Sequence, residues 1–309
     1  MADGPLNSIL QQLIVFTKVA VPLFFVISGA LFYRDYTWRL TFKKWKNRFF
    51  TLCIPYLVWN TMWTILAFIG NYTSLGILLC GTKAEFTLTN LLNGIFLYGY
   101  FEPFWFIFRL IVLTAFCPVI YLLLKNKWVG LCSILAFYVA SCFDFGLNIL
   151  MIQNLDMVIV YLIGAWVGIH KFPLFTARKC KTYALIGFVV YILCCVFHGL
   201  SQKLPQWFFA PQISLLVTII SCGAFWVAFD YFDMKKCPKF MSYSFLMYAL
   251  HSFFGAAISK ILDMIMPSGQ ACLAITATIT FLTTITCVCI IGWYLDHYFP
   301  LLRRILTGK

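Results

Sequence analysis

Val21-Pro22-Leu23-Phe24-Phe25-Val26-Ile27-Ser28-Gly29, the basic loop from Arg34 to Arg48, and Ile54-Pro55-Tyr56-Leu57-Val58-Trp59 form the stretch on which the fold turns. An apolar helix carrying a Pro and a Ser-Gly pair exits into dense positive charge, and a second apolar helix follows. That is the pattern of a membrane hairpin whose connection is held on the cytoplasmic side by Lys and Arg. Crossing the hydrocarbon takes about 17 to 25 mainly apolar residues. Working outward, nine such segments appear: Leu13 to Tyr33, Phe49 to Gly70, Pro103 to Leu124, Trp128 to Phe143, Leu155 to Ile169, Thr182 to Leu200, Gln212 to Phe232, Ser242 to Met264 and Cys272 to Leu295. The fourth and fifth are short. No soluble domain, low-complexity tract or internal repeat separates the segments. The expectation is one all-α integral membrane domain over residues 1–309, a polytopic bundle of about nine transmembrane helices.

Composition agrees. The chain is 62% hydrophobic and 11% charged, whereas soluble proteins are about 25% charged. A net charge of +13 is the orientation signal of cytoplasmic loops and not a footprint for nucleic acid, so no nucleic-acid partner is expected. The 13 Cys are scattered through apolar runs and read as small hydrophobes. With only four His and no His/Cys/Asp cluster, no metal site is expected. The first apolar segment lacks the basic start and small-residue site of a cleavable signal.

Loop charge tests the span count. Alternate loops and the tail hold Arg34, Arg39, Lys43, Lys44, Lys46 and Arg48; Lys125 and Lys127; Lys171, Arg178, Lys179 and Lys181; Lys235, Lys236 and Lys239; and Arg303, Arg304 and Lys309. The opposite side holds only Lys83, Lys203 and Lys260, while Lys18 and Arg109 fall inside spans. This alternation places the C-terminus in the cytoplasm and, by parity, the N-terminus outside. An N-terminus outside normally follows an inserted helix, so one helix is expected ahead of Met1. Direct translocation of the weakly charged Met1 to Gln12 is the alternative.

Charge inside the membrane comes next. An Arg at the bilayer centre costs about 3 kcal/mol or more, so Arg109 is expected to face the bundle interior. Glu102, seven residues earlier, shares roughly its helical face. Lys18 has room to snorkel outward. His251 falls near mid-bilayer, where a His is either a packing residue or a proton-transfer group; His170, His198 and His297 sit at span ends. Most of Trp59, Trp63, Trp105, Trp128 and Trp293 read as interfacial belt residues. The basic loop is open to two readings, attraction to anionic lipid or a grip on the phosphates of a cytosolic donor.

The opening stretch resembles the membrane acyltransferase 3 family, ten-helix bacterial inner-membrane proteins that acylate, most often O-acetylate, surface carbohydrates. The likeness continues in order through Pro103-Phe104-Trp105-Phe106 with Arg109, Tyr161-Leu162-Ile163-Gly164-Ala165, Phe245 to His251 within a Phe-x-x-Tyr-x-x-His pattern, and the ending from Phe299-Pro300 to Gly308-Lys309. It begins at the family's second helix. The family's first helix, with its basic residue and a His about ten positions on, has no counterpart here. In the family's Arg-x-x-Arg pair, Arg48 stands first and Thr51 replaces the second member.

The resemblance implies transfer of an acyl group, most often acetyl, from acetyl-CoA or another acyl-CoA to a carbohydrate hydroxyl at the cell inner membrane, with no bound cofactor. Arg109 and His251 are the expected catalytic residues. Ser28, Glu102 and Trp105 are expected at the substrate, and Lys43, Lys44 and Arg48 at the donor. The lipid bilayer, a carbohydrate acceptor and acyl-CoA are the expected partners. A polysaccharide or lipid-linked sugar exporter and a catalytically inactive membrane scaffold are the alternatives; the lack of paired repeat halves weighs against the exporter.

Overall fold

The computed structural model describes residues 15–72, 84–142, 155–172, 180–201, 211–232, 237–265 and 270–308. Leu13, Lys83, Phe143, Arg178, Lys179, Lys203, Lys235, Lys236 and Lys309, all named above, lie outside the described residues. The helices are α1 (Ala20–Tyr33), α2 (Thr41–Arg48), α3 (Ile54–Tyr72), α4 (Leu88–Phe96), α5 (Trp105–Ala115), α6 (Cys117–Leu124), α7 (Lys127–Cys142), α8 (Asp156–Ile169), α9 (Lys181–Ser201), α10 (Pro211–Asp230), α11 (Ser244–Ile265), α12 (Gln270–Tyr298) and α13 (Pro300–Thr307). Among the described residues there is no strand.

The protein is an all-α polytopic membrane protein. Among the described residues six helices are long and apolar enough to cross a membrane, or seven if the broken pair α5 and α6 forms one span. All nine apolar segments are helical over their described residues, but nine crossings are not established. The 14-residue α8 reaches only about 21 Å at the α-helical rise, short of the ~30 Å hydrocarbon core.

Three local features differ from the sequence expectation, each for a readable reason. The basic loop is largely helix. Thr41–Arg48 has no Gly or Pro, and helix runs with brief changes of pitch from Trp38 to Tyr72. Directly after Arg48 the pitch loosens into a π-turn, Phe49–Cys53, closed by Ile54 N–H donating to Phe49 O. Pro55, with no N–H to give to Thr51 O, follows at once. The third segment is not continuous but breaks at Phe116, because Pro118 cannot bond the carbonyl of Thr114. Trp45 Nε1 donates to that carbonyl instead, at 2.9 Å. Finally, α4 fills part of a connection expected to be loop, with Thr87 as its N-cap, accepting from Asn90 N at 3.2 Å.

Contacts divide the chain into two units. The first comprises Met1–Thr41 with Phe116–Lys235. At its centre α1 and α8 touch backbone to backbone. A Cβ on Gly29 would stand 2.5 Å from Tyr161 O and 2.8 Å from Ala165 N. One on Gly164 would run into Val26 O, and one on Gly168 into Ala30 O. Gly164-x-x-x-Gly168 therefore acts as a small-x-x-x-small groove, the device that lets apolar helices associate where lipid supplies no hydrophobic drive. Phe25 and Ala30 on α1 and Ile159, Val160 and Ala165 on α8 are buried. At its end, Tyr33 Oη donates to Cys117 O at 3.1 Å, and Tyr36 Oη meets Thr41 Oγ1 at 2.5 Å.

Burial pushes the Tyr36 phenol up to about 12; the Thr41 hydrogen bond pulls part of the way back, and Cys117 adds to the rise. An unfolded Tyr ionises near ~10, so this group's contribution to stability is whole below pH ~10 and fades as pH climbs towards ~12. Melting curves across that window should show a smaller alkaline loss for Tyr36→Phe than for the parent. An equal loss would place the effect in other groups.

The second unit comprises Phe42–Ala115 with Lys236–Lys309. Its core joins Tyr56, Trp59, Trp63, Phe101, Phe104, Ile107, Leu246 and Val288. Trp59 and Trp63 are thus core residues, 4% and 5% exposed, and not members of an interfacial belt; Trp128 and Trp293 are exposed as a belt requires. Trp63 stacks on Phe101 at 4.6 Å, and Trp59 Nε1 donates to Leu306 O at 3.0 Å. That bond fixes α13 across the start of α3. Gly308 ends α13 at φ 70°, and a side chain there would strike the Thr51 backbone. At the same end Arg303 pairs with Asp296, which also accepts from Tyr243 Oη at 2.8 Å.

Candidate active site

The second unit holds all the candidate residues except Ser28, which sits half-buried on α1 in the first unit. Arg109 lies on α5 and is 8% exposed, as an intramembrane cation should be. Its guanidinium stands 4.5 Å from the Trp105 ring centroid, one turn earlier on the same helix. Such a contact contributes up to about 2 kcal/mol when desolvated, which offsets much of the ~3 kcal/mol cost of placing Arg in the membrane. Glu102 is exposed at the first position of the short 3₁₀ turn Glu102–Phe104 that leads into α5.

What anchors this turn is Tyr248, a residue the functional reading of the sequence passed over. Tyr248 Oη donates to Pro103 O, and its ring stacks on Phe104 at 5.6 Å with the planes 3° apart. Tyr56 closes the stack from α3, 6.0 Å from Phe104. The Tyr of Phe-x-x-Tyr-x-x-His thus ties α11 to the mouth of α5. The visible signal was its place in the motif, one turn before the His.

His251 follows on α11 and is exposed. Its Nδ1 lies 2.8 Å from Tyr248 O, and its Nε2 3.3 Å from Ser252 Oγ. A carbonyl only accepts, so Nδ1 carries a proton, and in the neutral ring Nε2 is then the nitrogen with the lone pair. That is the tautomer a general base requires. The donor candidates line the exposed helix α2, where Lys43 is exposed and Lys44 and Arg48 are half-buried. The π-turn comes immediately after them; such bulges recur at functional sites. Among the described residues no cluster of His, Cys, Asp or Glu suits a metal ion.

An all-α bundle of long apolar helices, with a buried Arg and a hydrogen-bonded His in one unit, is the architecture of a polytopic membrane protein. A family model described as an acyltransferase domain matches residues 2–295. The chain belongs to the acyltransferase 3 family, whose resemblance the ordered motifs carried. No curated protein and no solved structure matches it.

Proposed function

We propose that this membrane acyltransferase moves an acyl group, most often acetyl, from acyl-CoA to a hydroxyl of a cell-surface carbohydrate or its lipid-linked precursor. The observation that carries the reading is Arg109, buried over Trp105 beside a turn that Tyr248 ties to the helix bearing His251. In the reaction the acceptor hydroxyl attacks the thioester carbonyl carbon as a base takes its proton. The tetrahedral oxyanion then collapses, the C–S bond breaks, and CoA leaves as a thiolate that is protonated. His251 Nε2 has the lone pair for the first step. The Arg109 guanidinium supplies positive charge for the oxyanion or for orienting the acceptor, with Glu102 and Trp105 assigned to the acceptor.

Lys43, Lys44 and Arg48 are assigned to the donor's phosphates, which Arg binds by charge-assisted hydrogen bonds. One such bond contributes about 1.5 kcal/mol or more, so Arg48→Ala should raise the donor KM about tenfold with kcat little changed. The direct assay follows thiol release from acetyl-CoA by purified protein with and without a glycan acceptor. Acceptor-dependent release supports the proposal; its absence from folded protein across a panel of glycans rejects it.

A further inference from the structure

We infer that the second unit carries, apart from the candidate active site, a binding groove for an anionic phospholipid, which takes one acyl chain along α12 and the headgroup phosphate at Lys239. The groove has a volume of about 500 Å³ and is lined by Phe240, Ile285, Thr286, Cys289, Ile290 and Trp293. That volume lies within the ~300–1,000 Å³ of ordinary ligand sites. Thr286 Oγ1 donates to Leu282 O at 2.9 Å, so its proton is committed within its own helix. Such a wall offers little to a polar ligand and much to a hydrocarbon chain.

The groove has a direction. Phe240 belongs to the 3₁₀ turn Lys239–Tyr243, whose Tyr243 lies against Gly292 and bonds Asp296. Phe240 therefore shares one end of the groove with Trp293. Ile285 comes eight residues before Trp293 on α12, about 12 Å away along the axis at the α-helical rise. One leaflet's share of the hydrocarbon is about 15 Å, so the groove matches the reach of a chain from headgroup to midplane. Trp293 is half-exposed, as a residue at the boundary of tails and headgroups should be. His297 braces it, with Nδ1 2.9 Å from Trp293 O and the two rings 4.5 Å apart. By the loop-charge rule this end faces the cytoplasm, since Lys239 stands in one basic connection and Arg303 and Arg304 follow α12.

The phosphate is assigned by charge. Lys239 directly precedes Phe240 and is exposed at the headgroup end. The turn that carries it is fixed, with Met241 N–H donating to Pro238 O at 3.0 Å and Ser242 Oγ to Lys239 O at 2.7 Å. Asp296 on the neighbouring turn pairs with Arg303 and accepts from Tyr243 Oη, so its charge is engaged there. A chain lying in the groove thus brings its phosphate to an ammonium, which binds phosphate as a point charge. An apolar helix of a second copy would fill the groove without using that charge; an anionic phospholipid uses both.

The test incubates the full chain in detergent with an equal mixture of phosphatidylglycerol and phosphatidylcholine and counts retained lipid by native mass spectrometry. The parent should retain phosphatidylglycerol in preference to phosphatidylcholine. Lys239→Gln should lower that preference about fivefold, the effect of one basic residue beside anionic lipid, and Lys239→Arg should keep it. Thr286→Trp fills the groove from its exposed side and should remove one bound lipid per chain. If Thr286→Trp does not fold, the Lys239 pair decides alone. No preference in the parent, a preference that Lys239→Gln leaves intact, or an unchanged lipid count in folded Thr286→Trp overturns the proposal. So does a dimer on size exclusion that Thr286→Trp splits, which would give the groove to a second copy. Binding is read without turnover and on residues with no part in the acyl-transfer reading, so the two fail separately.

Discussion

Arg109→Gln should lower acyl turnover about 10²–10³-fold, the loss seen when one preorganised group facing a developing oxyanion is removed, while the protein still folds. The fold should tolerate the change because the terms at this position nearly cancel. Desolvating a guanidinium costs about 3 kcal/mol, and the Trp105 contact returns up to about 2. Removing both should shift unfolding little in either direction. Arg109→Lys keeps the charge but loses the planar stacking on Trp105, so it should recover only part of the rate. Turnover and melting temperature measured on the same preparations separate the outcomes. A large loss of stability with proportionate loss of rate would make Arg109 a structural pin between helices.

Gly164→Leu is expected to do the reverse, removing folded protein before any question of rate arises. Overpacking a core usually costs about 1–3 kcal/mol because neighbouring side chains shift. At Gly164 the neighbour is the backbone of Val26, within a helix, and Gly168 and Gly29 meet backbone in the same seam. No side chain can move aside, so the cost should exceed that range and the variant should elute as aggregate on size exclusion. Gly164→Ala is the milder probe, expected to fold with a clearly lowered melting point. If Gly164→Leu were monodisperse and as stable as the parent, the α1–α8 seam would be refuted.

The same seam shows what was legible in the sequence. Val21 to Gly29 reads as a membrane helix from its run of apolar residues, and Gly29 beside Ser28 marks a close approach. Its partner lies more than 130 residues away, and nothing local pairs Gly29 with Gly164. The burial of Trp59 and Trp63 was hidden for a related reason. In lipid an apolar ring is stable facing either the tails or the core, so composition does not choose, and tertiary packing on Phe101 and Leu306 does. The break in the third span did have a signal, Pro118, but the rescue of Thr114 O by Trp45 did not.

Among the candidate site residues, Arg109 was placed inside the bundle from the cost of its charge, and the structure buries it there. Tyr248 was harder, because a Tyr in an apolar helix is most often a packing residue. Only its bond to Pro103 O reveals that it holds the mouth of α5. Lys18 was read as a snorkelling residue inside the first span and His198 as a residue at a span end; that both line one recess depends on helices α9 and α10 coming beside the first span, which no periodicity encodes.

The claim that matters most is transfer of an acyl group to a carbohydrate hydroxyl. Its most direct test is to incubate the purified chain with acetyl-CoA labelled in the acetyl group and a glycan acceptor, recover the glycan, and treat it with mild alkali. Label is expected on the glycan, released by alkali as acetate because an O-ester hydrolyses, with label reduced about 10²–10³-fold in Arg109→Gln. Label that resists alkali as an amide, or none from folded protein while a known O-acetyltransferase labels the same acceptor, would contradict it.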